Sequence, residues 1–132
     1  MTEVVAAFIR KGGRILAFQR PSYKARPLLW EFVGGKVESG ETHEEALMRE
    51  CREELDAEVR VGSLFYDVVH TYPDLQIHLS LYHTEIVSGS FRLNEHVDSA
   101  WIPVDRLSDY PFCPADEEII KMIQTRYGDA HP

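Results

Sequence analysis

Apolar residues open the chain in two short runs, 3 to 9 and 14 to 19, separated by Lys11-Gly12-Gly13. Glycine supplies the positive backbone torsions of tight hairpin turns, so the pattern predicts two antiparallel strands at the N-terminus. Between Pro21 and Pro27 there is no period, and the stretch reads as an exposed loop that carries basic groups toward whatever follows. Leu28 to Val33 is short and apolar and stops at Gly34-Gly35, as a buried strand does before a turn with close backbone approach. The period then changes. Leu47, Cys51 and Leu55 recur every four residues, and Thr42 with Glu45 forms a capping box, which predicts a helix over 42 to 55. Residues 59 to 70 and 75 to 87, on either side of the turn-like Tyr72-Pro73-Asp74, predict two longer strands, and Val97 to Val104 around Trp101 predicts one more. Asp105 to Tyr110 reads as a short helical turn, and Ala115 to Tyr127, behind Pro114, as a terminal helix with apolar residues at 119, 120, 122, 123 and 127. Strands before and after an embedded helix imply an α/β (α+β) fold, a mixed sheet with helices on both faces.

At 132 residues and 44% hydrophobic, the chain suits one domain, 1 to 132, with a real core. The formal net charge of −8 leaves no broad basic surface, so a nucleic acid polymer is not an expected partner. Cys51 and Cys113 sit in no metal-binding or redox spacing and read as reduced thiols of a cytoplasmic protein. The start, Met1-Thr2-Glu3-Val4, has no basic region ahead of its apolar run, and no apolar stretch approaches the ~18 residues of a membrane span. Neither secretion nor membrane insertion is expected, and the oligomeric state is not legible.

Glu50, Glu53 and Glu54 stand at i, i+3 and i+4 of the predicted helix, so their carboxylates share a stripe beside the apolar one. Like charges at that spacing cost ~0.2–0.5 kcal/mol per pair, which Arg49 and Arg52 only partly offset. A cation is expected there, unless the stripe is simply a solvated face. Magnesium suits carboxylate oxygens, and there is no Cys/His quartet to favour zinc. The surrounding frame decides: Gly35, five residues, Glu41, seven residues, Arg49-Glu50, two residues, Glu53-Glu54. This resembles the Nudix box, here 35 to 57, with six of seven fixed positions matched. Six such matches have a chance probability on the order of 10⁻⁵. Asp56 stands where the box has its last glycine, a position suited to a left-handed backbone that Asp tolerates. Cys51 and Ala57 replace larger aliphatics, which touches packing more than chemistry.

The stretch Leu29 to Glu38, with Val33 in place of a frequent proline, resembles the MutT and CTP-pyrophosphohydrolase branch, and segments around Trp101 and Pro114 extend the likeness over most of the chain. The resemblance implies a Nudix-type α/β/α sandwich that hydrolyses nucleoside triphosphates, canonical or oxidised, to a monophosphate and pyrophosphate. By the same resemblance Glu50, Glu53, Glu54 and Glu95, with the Gly34 carbonyl, ligate Mg²⁺, for which Mn²⁺ substitutes. Three carboxylates repel a triphosphate by about 4 kcal/mol per close pair at an effective dielectric of about 20, so a bridging cation is required. Gly35 and the Glu41–Arg49 pair are implied to be scaffold, Arg20 to contact phosphate, Phe32 to line the base pocket and Asp116 to read the base. Water attacks the β-phosphorus, with Glu50 as the expected proton acceptor and Glu95 as its rival.

Each of these roles has a plainer counterpart: Glu95 as an exposed loop residue, Arg20 as a strand-end charge, Phe32 as core, Asp116 as a helix-start charge favoured by the macrodipole. An ionised Asp116 only accepts hydrogen bonds and suits the cytosine N4 amino group or the N1/N2 edge of oxidised guanine. The six histidines, His43, His70, His78, His83, His96 and His131, show no ligand spacing and receive no role. Two other functions remain open: hydrolysis of a dinucleoside diphosphate such as ADP-ribose, NADH or a nucleotide sugar, and a non-catalytic nucleotide-binding module. The second predicts eroded carboxylates, whereas Glu50, Glu53, Glu54 and Glu95 are all present.

Overall fold

The alternating and continuous apolar runs become two four-stranded sheets in the computed structural model, which describes residues 1–128. His131 lies outside the described residues. In the first sheet β1 (Thr2–Phe8) pairs antiparallel with β5 (Gly34–Lys36) and parallel with β7 (Gln76–Ile86), and β6 (Val59–Thr71) flanks β7. In the second, β2 (Arg10–Lys11) and β4 (Trp30–Glu31) pair with opposite ends of β3 (Arg14–Gln19), whose other edge is taken by β8 (Asp98–Pro103).

This corrects the expected N-terminal hairpin. The Gly12-Gly13 turn exists, with φ of 59° and 77°, but its first arm is the two-residue β2. β1 leaves for the other sheet, where Val5, Ala6, Ala7 and Phe8 are all buried. A strand buried on both faces shows no alternation, so its pattern does not reveal which partner it takes.

A second correction concerns residues 28 to 36. Only Trp30 and Glu31 of the apolar run are strand, and Leu28 is exposed with a φ of 63°. Gly34-Gly35 is not a turn but part of β5, opposite Ala6 and Val5 of β1. Close backbone approach is nevertheless what the glycines provide. A Cβ on Gly34 would stand 1.9 Å from the Val5 carbonyl oxygen, and one on Gly35 would stand 2.5 Å from the Glu50 carboxyl carbon.

Helix α1 (His43–Leu55) begins at the capping box: the Glu45 amide donates to the Thr42 hydroxyl at 3.1 Å, and the Thr42 amide donates to the Glu45 carboxylate at 2.9 Å. It ends at Asp56, whose left-handed backbone (φ 51°) turns its amide onto the Arg52 and Cys51 carbonyls. Its buried stripe of Ala46, Leu47, Cys51 and Leu55 packs on Val5, Phe18, Val33 and Ala57. Cys51 and Ala57 are fully buried, so the small substitutes still pack. A second core lies under α2 (Glu117–Tyr127), where Ile119, Ile120 and Ile123 meet Phe8, Ile15, Leu81, Ile102 and Phe112. Pro114–Asp116 forms a 3₁₀ turn, so α2 starts two residues later than the apolar spacing suggests. Val104–Asp109, the expected helical turn, is also 3₁₀. No helix of the described residues is long and apolar enough to cross a membrane.

Candidate active site

A cleft of about 350 Å³ opens where the edge of the first sheet, helix α1 and the loops 20–26 and 95–96 meet. Its floor is backbone of β1 and β5, which the glycines at 34 and 35 keep free of side chains. One end is acidic and the other is apolar.

At the acidic end α1 presents Glu50 and Glu54, one turn apart, into the cleft. Glu53 stays outside the cleft lining, with its side chain 59% exposed. Arg49 holds this face together. Its Nε and Nη2 donate to both Glu41 oxygens at 2.7 and 3.0 Å, and Nη2 also donates to the Lys36 carbonyl at 3.0 Å. Its Nη1 donates to Glu50 at 2.8 Å and to Glu53 at 3.1 Å. The Glu41–Arg49 pair therefore ties the loop ahead of Thr42 to the helix, and the same guanidinium reaches two of the three helix carboxylates as well. Hydrogen bonds from Arg49, then from the Glu38 amide, pull the Glu41 carboxyl down to about 2. Arg49 is correspondingly pushed above its usual value, chiefly by Glu41.

Glu54 behaves oppositely: burial, then the neighbouring charges of Glu50 and Glu31, push its carboxyl well above the usual carboxylate range. Two facing carboxylates in a poorly solvated cleft disfavour each other's ionised form. Glu95, on the loop after β7, also lines the cleft, and there its carboxylate is ion-paired with Lys24. Among the described residues no three His, Cys, Asp or Glu side chains stand together as a ready metal-ligand group. Arg49 holds Glu50 and Glu53, and Lys24 holds Glu95. The donor set nonetheless fits a hard divalent ion: carboxylate oxygens of Glu50, Glu54 and Glu95 around a glycine floor, with the Glu54 carboxyl raised by burial and by its acidic neighbours.

At the other end Phe32 is both core and cleft wall, tilted against Phe112 at 5.7 Å. Asp116 is 4% exposed. It sits at the N-cap of α2, and its side chain makes no capping hydrogen bond. Burial, then the charge of Glu31, push its carboxyl well above the ordinary range, against a smaller opposing pull from Arg20. The shift is toward the neutral acid, which donates one hydrogen bond and accepts others, and away from the ionised form that only accepts. Tyr72 and Cys113 complete this end. The Tyr72 hydroxyl accepts from the Ala115 amide at 2.9 Å, and burial raises it to about 12.

Between the two ends lies a network that sequence reasoning missed. Arg20 donates to Glu31 at 2.9 Å and to the Ala25 carbonyl at 2.8 Å, so the expected phosphate contact is held at the cleft wall by a carboxylate. The other Glu31 oxygen meets His96 Nε2 at 2.9 Å. His96, given no role above, is 2% exposed at its side chain, with Nδ1 unpartnered, and packs on Phe18 at 5.1 Å. The adjacency of His96 to Glu95 and of Glu31 to Phe32 was the only available signal. Both cysteines are free and buried.

The family described as NUDIX domain matches residues 4–122. The chain is similar to the CTP pyrophosphohydrolase of Escherichia coli, 39% identical over 92% of this chain and 90% of that protein. It is also similar to the 8-oxo-dGTP diphosphatase of Escherichia coli, 34% identical over 71% of this chain and 73% of that protein. Among solved structures, the solution structure of the E. coli ORF135 protein superposes with a TM-score of 0.82 at 35% identity, covering 100% of this chain and 95% of that one.

Proposed function

Because the chain belongs to the NUDIX domain family, we propose that it hydrolyses nucleoside triphosphates to a monophosphate and pyrophosphate, with magnesium as its ion and cytosine nucleotides as its preferred substrates. The observation that carries this reading is the division of one cleft into a carboxylate end and an apolar end closed by Asp116. The triphosphate lies at the first and the base at the second. Hydrolases of this family generally need a divalent ion, and here Glu50, Glu53, Glu54 and Glu95, with the Gly34 carbonyl, would hold it. When bound, the ion neutralises phosphate oxygens and acidifies a water molecule.

The chain's own residues do the rest. Arg49 anchors the helix carboxylates through Glu41, so their positions are set before substrate arrives. Arg20, fixed by Glu31, presents its remaining guanidinium edge to phosphate. Glu50 accepts the proton of the attacking water, a role for which Glu95 is the rival. The water oxygen bonds to the β-phosphorus, the bond from that phosphorus to the bridging α,β-oxygen breaks, and the monophosphate leaves with that oxygen.

A neutral Asp116 donates through its hydroxyl to the cytosine N3 and accepts from the N4 amino group. Oxidised guanine is the second reading, favoured by the likeness to the 8-oxo-dGTP diphosphatase and by an ionised Asp116, which accepts from N1 and N2. The relatives named above act on triphosphates, which leaves ADP-ribose and nucleotide sugars without support. The free thiols Cys51 and Cys113 support a reducing compartment such as the cytoplasm.

The test is product analysis from a panel of CTP, dCTP, GTP, 8-oxo-dGTP and ADP-ribose, with magnesium and with EDTA. Pyrophosphate with CMP, released only with magnesium and fastest from cytosine nucleotides, is expected. Turnover confined to ADP-ribose, or release of orthophosphate from triphosphates, overturns the proposal.

A further inference from the structure

Resting on that reading of the acidic end, we infer that Lys24 is an exchangeable counter-ion. It holds Glu95 while no divalent ion is present and passes to the triphosphate when the ion claims that carboxylate.

The loop that carries Lys24 is pinned on both sides of it. Backbone bonds join Arg20 to Leu29 at 2.8 Å and Leu28 to Arg20 at 3.2 Å, and the Arg20 guanidinium holds the Ala25 carbonyl. Beyond Lys24, Arg26 pairs with Asp74 at 3.0 Å and lies 4.0 Å over the Tyr72 ring. The loop is thereby laid along one wall of the cleft, and Lys24 is the side chain it sends to the acidic end.

Four cations line the cleft: Arg20, Lys24, Arg26 and Lys36. Arg20 is committed to Glu31 and Arg26 to Asp74, neither of which belongs to the proposed ligand set. Among the described residues Lys24 is the one lining cation paired with a proposed ligand. Its side chain is 41% exposed, and a flexible four-carbon stem lets the ammonium move without disturbing the backbone. Arg49 differs, because its bonds to Glu41 and the Lys36 carbonyl keep it in place whatever happens to Glu50.

The ammonium and a divalent ion compete for the same carboxylate oxygens, so Lys24 weakens binding of the ion alone. Once the ion occupies Glu95, the freed ammonium faces a cleft holding a highly charged triphosphate and pairs with it. Lys24 thus makes ion binding alone harder and nucleotide binding tighter, which couples the two ligands.

The test is Lys24→Met, measured for Mn²⁺ binding by electron paramagnetic resonance without nucleotide, and for binding of α,β-methylene-CTP with saturating Mn²⁺. The shifts should have opposite signs: Mn²⁺ binds about two- to fivefold more tightly, the size of a partly exposed ion pair, and the analogue binds about tenfold more weakly. Lys24→Arg should restore analogue binding. Tighter Mn²⁺ with unchanged analogue affinity overturns the exchange, as does weaker analogue binding with unchanged Mn²⁺ affinity. Absence of Mn²⁺ binding by the wild-type protein overturns the metal reading itself, and this proposal with it.

Discussion

The two ends of the cleft are built in different ways. Most of the acidic end comes from one stretch of 23 residues, Gly35 to Ala57, in which a helix, its cap and the preceding loop hold each other through Arg49, and Lys24 and Glu95 join it from two loops. The apolar end is assembled from Phe32, Tyr72, Cys113 and Asp116, which meet only because β4, the β6–β7 turn and the start of α2 converge. The first is rich in hydrogen-bonded charge, and the second sequesters a carboxyl from water. Chemistry that needs several carboxylates in register is supplied by local helical spacing. On the proposed reading, selection among bases rests on long-range packing and is separable from the first.

That contrast breaks most severely at the acidic end. Glu54→Gln keeps the shape but removes a proposed ligand, and should lower kcat by about 10²–10⁴ in steady-state pyrophosphate release while leaving the choice of base unchanged. A shifted base preference in this variant would show that the two ends are not separable. Arg49→Ala should come next, with a fall in kcat of roughly tenfold to a hundredfold because Glu41, Glu50 and Glu53 lose their shared partner. Arg49→Lys should not rescue it, since the three donors of an ammonium cannot replace the five contacts that the planar fork makes to Glu41, the Lys36 carbonyl, Glu50 and Glu53.

At the apolar end Asp116→Asn retains one donor and one acceptor, so cytosine preference should persist while stability changes with pH. A carboxyl raised by folding binds a proton that the unfolded chain has already released. Its contribution is present below the ordinary carboxylate range and lost as pH rises toward the raised value. Asp116→Asn should therefore flatten the decline of the thermal midpoint as pH rises above the ordinary carboxylate range. An unchanged pH profile would mean that Asp116 is ionised in the folded protein. The smallest effect belongs to Glu41, whose lowered carboxyl gives the reverse sign: its contribution is present above 4.5 and lost as pH falls toward about 2. Glu41→Gln should remove that part of the acid dependence of the thermal midpoint.

The same contrast explains what could be read from sequence. Helix α1, its capping box and the left-handed Asp56 follow from local spacing, and all three stand where the pattern puts them. The frame from Gly35 to Glu54 belongs to that local information. The sheet membership of β1 does not, because an uninterrupted apolar run is equally consistent with a hairpin arm and with a strand covered on both faces. The Gly34-Gly35 pair signals close approach but not whether a turn or a strand requires it. The His96–Glu31 contact spans 65 residues, and the environment that buries Asp116 is created by three separate segments. No periodicity records such meetings.

On the proposed mechanism, water activated at the carboxylate end attacks the β-phosphorus. Single-turnover hydrolysis of CTP in ¹⁸O-labelled water, followed by mass spectrometry of both products, tests it directly. The label is predicted in pyrophosphate and absent from CMP. Label in CMP would place the attack at the α-phosphorus and contradict the proposed placement of the triphosphate along the cleft.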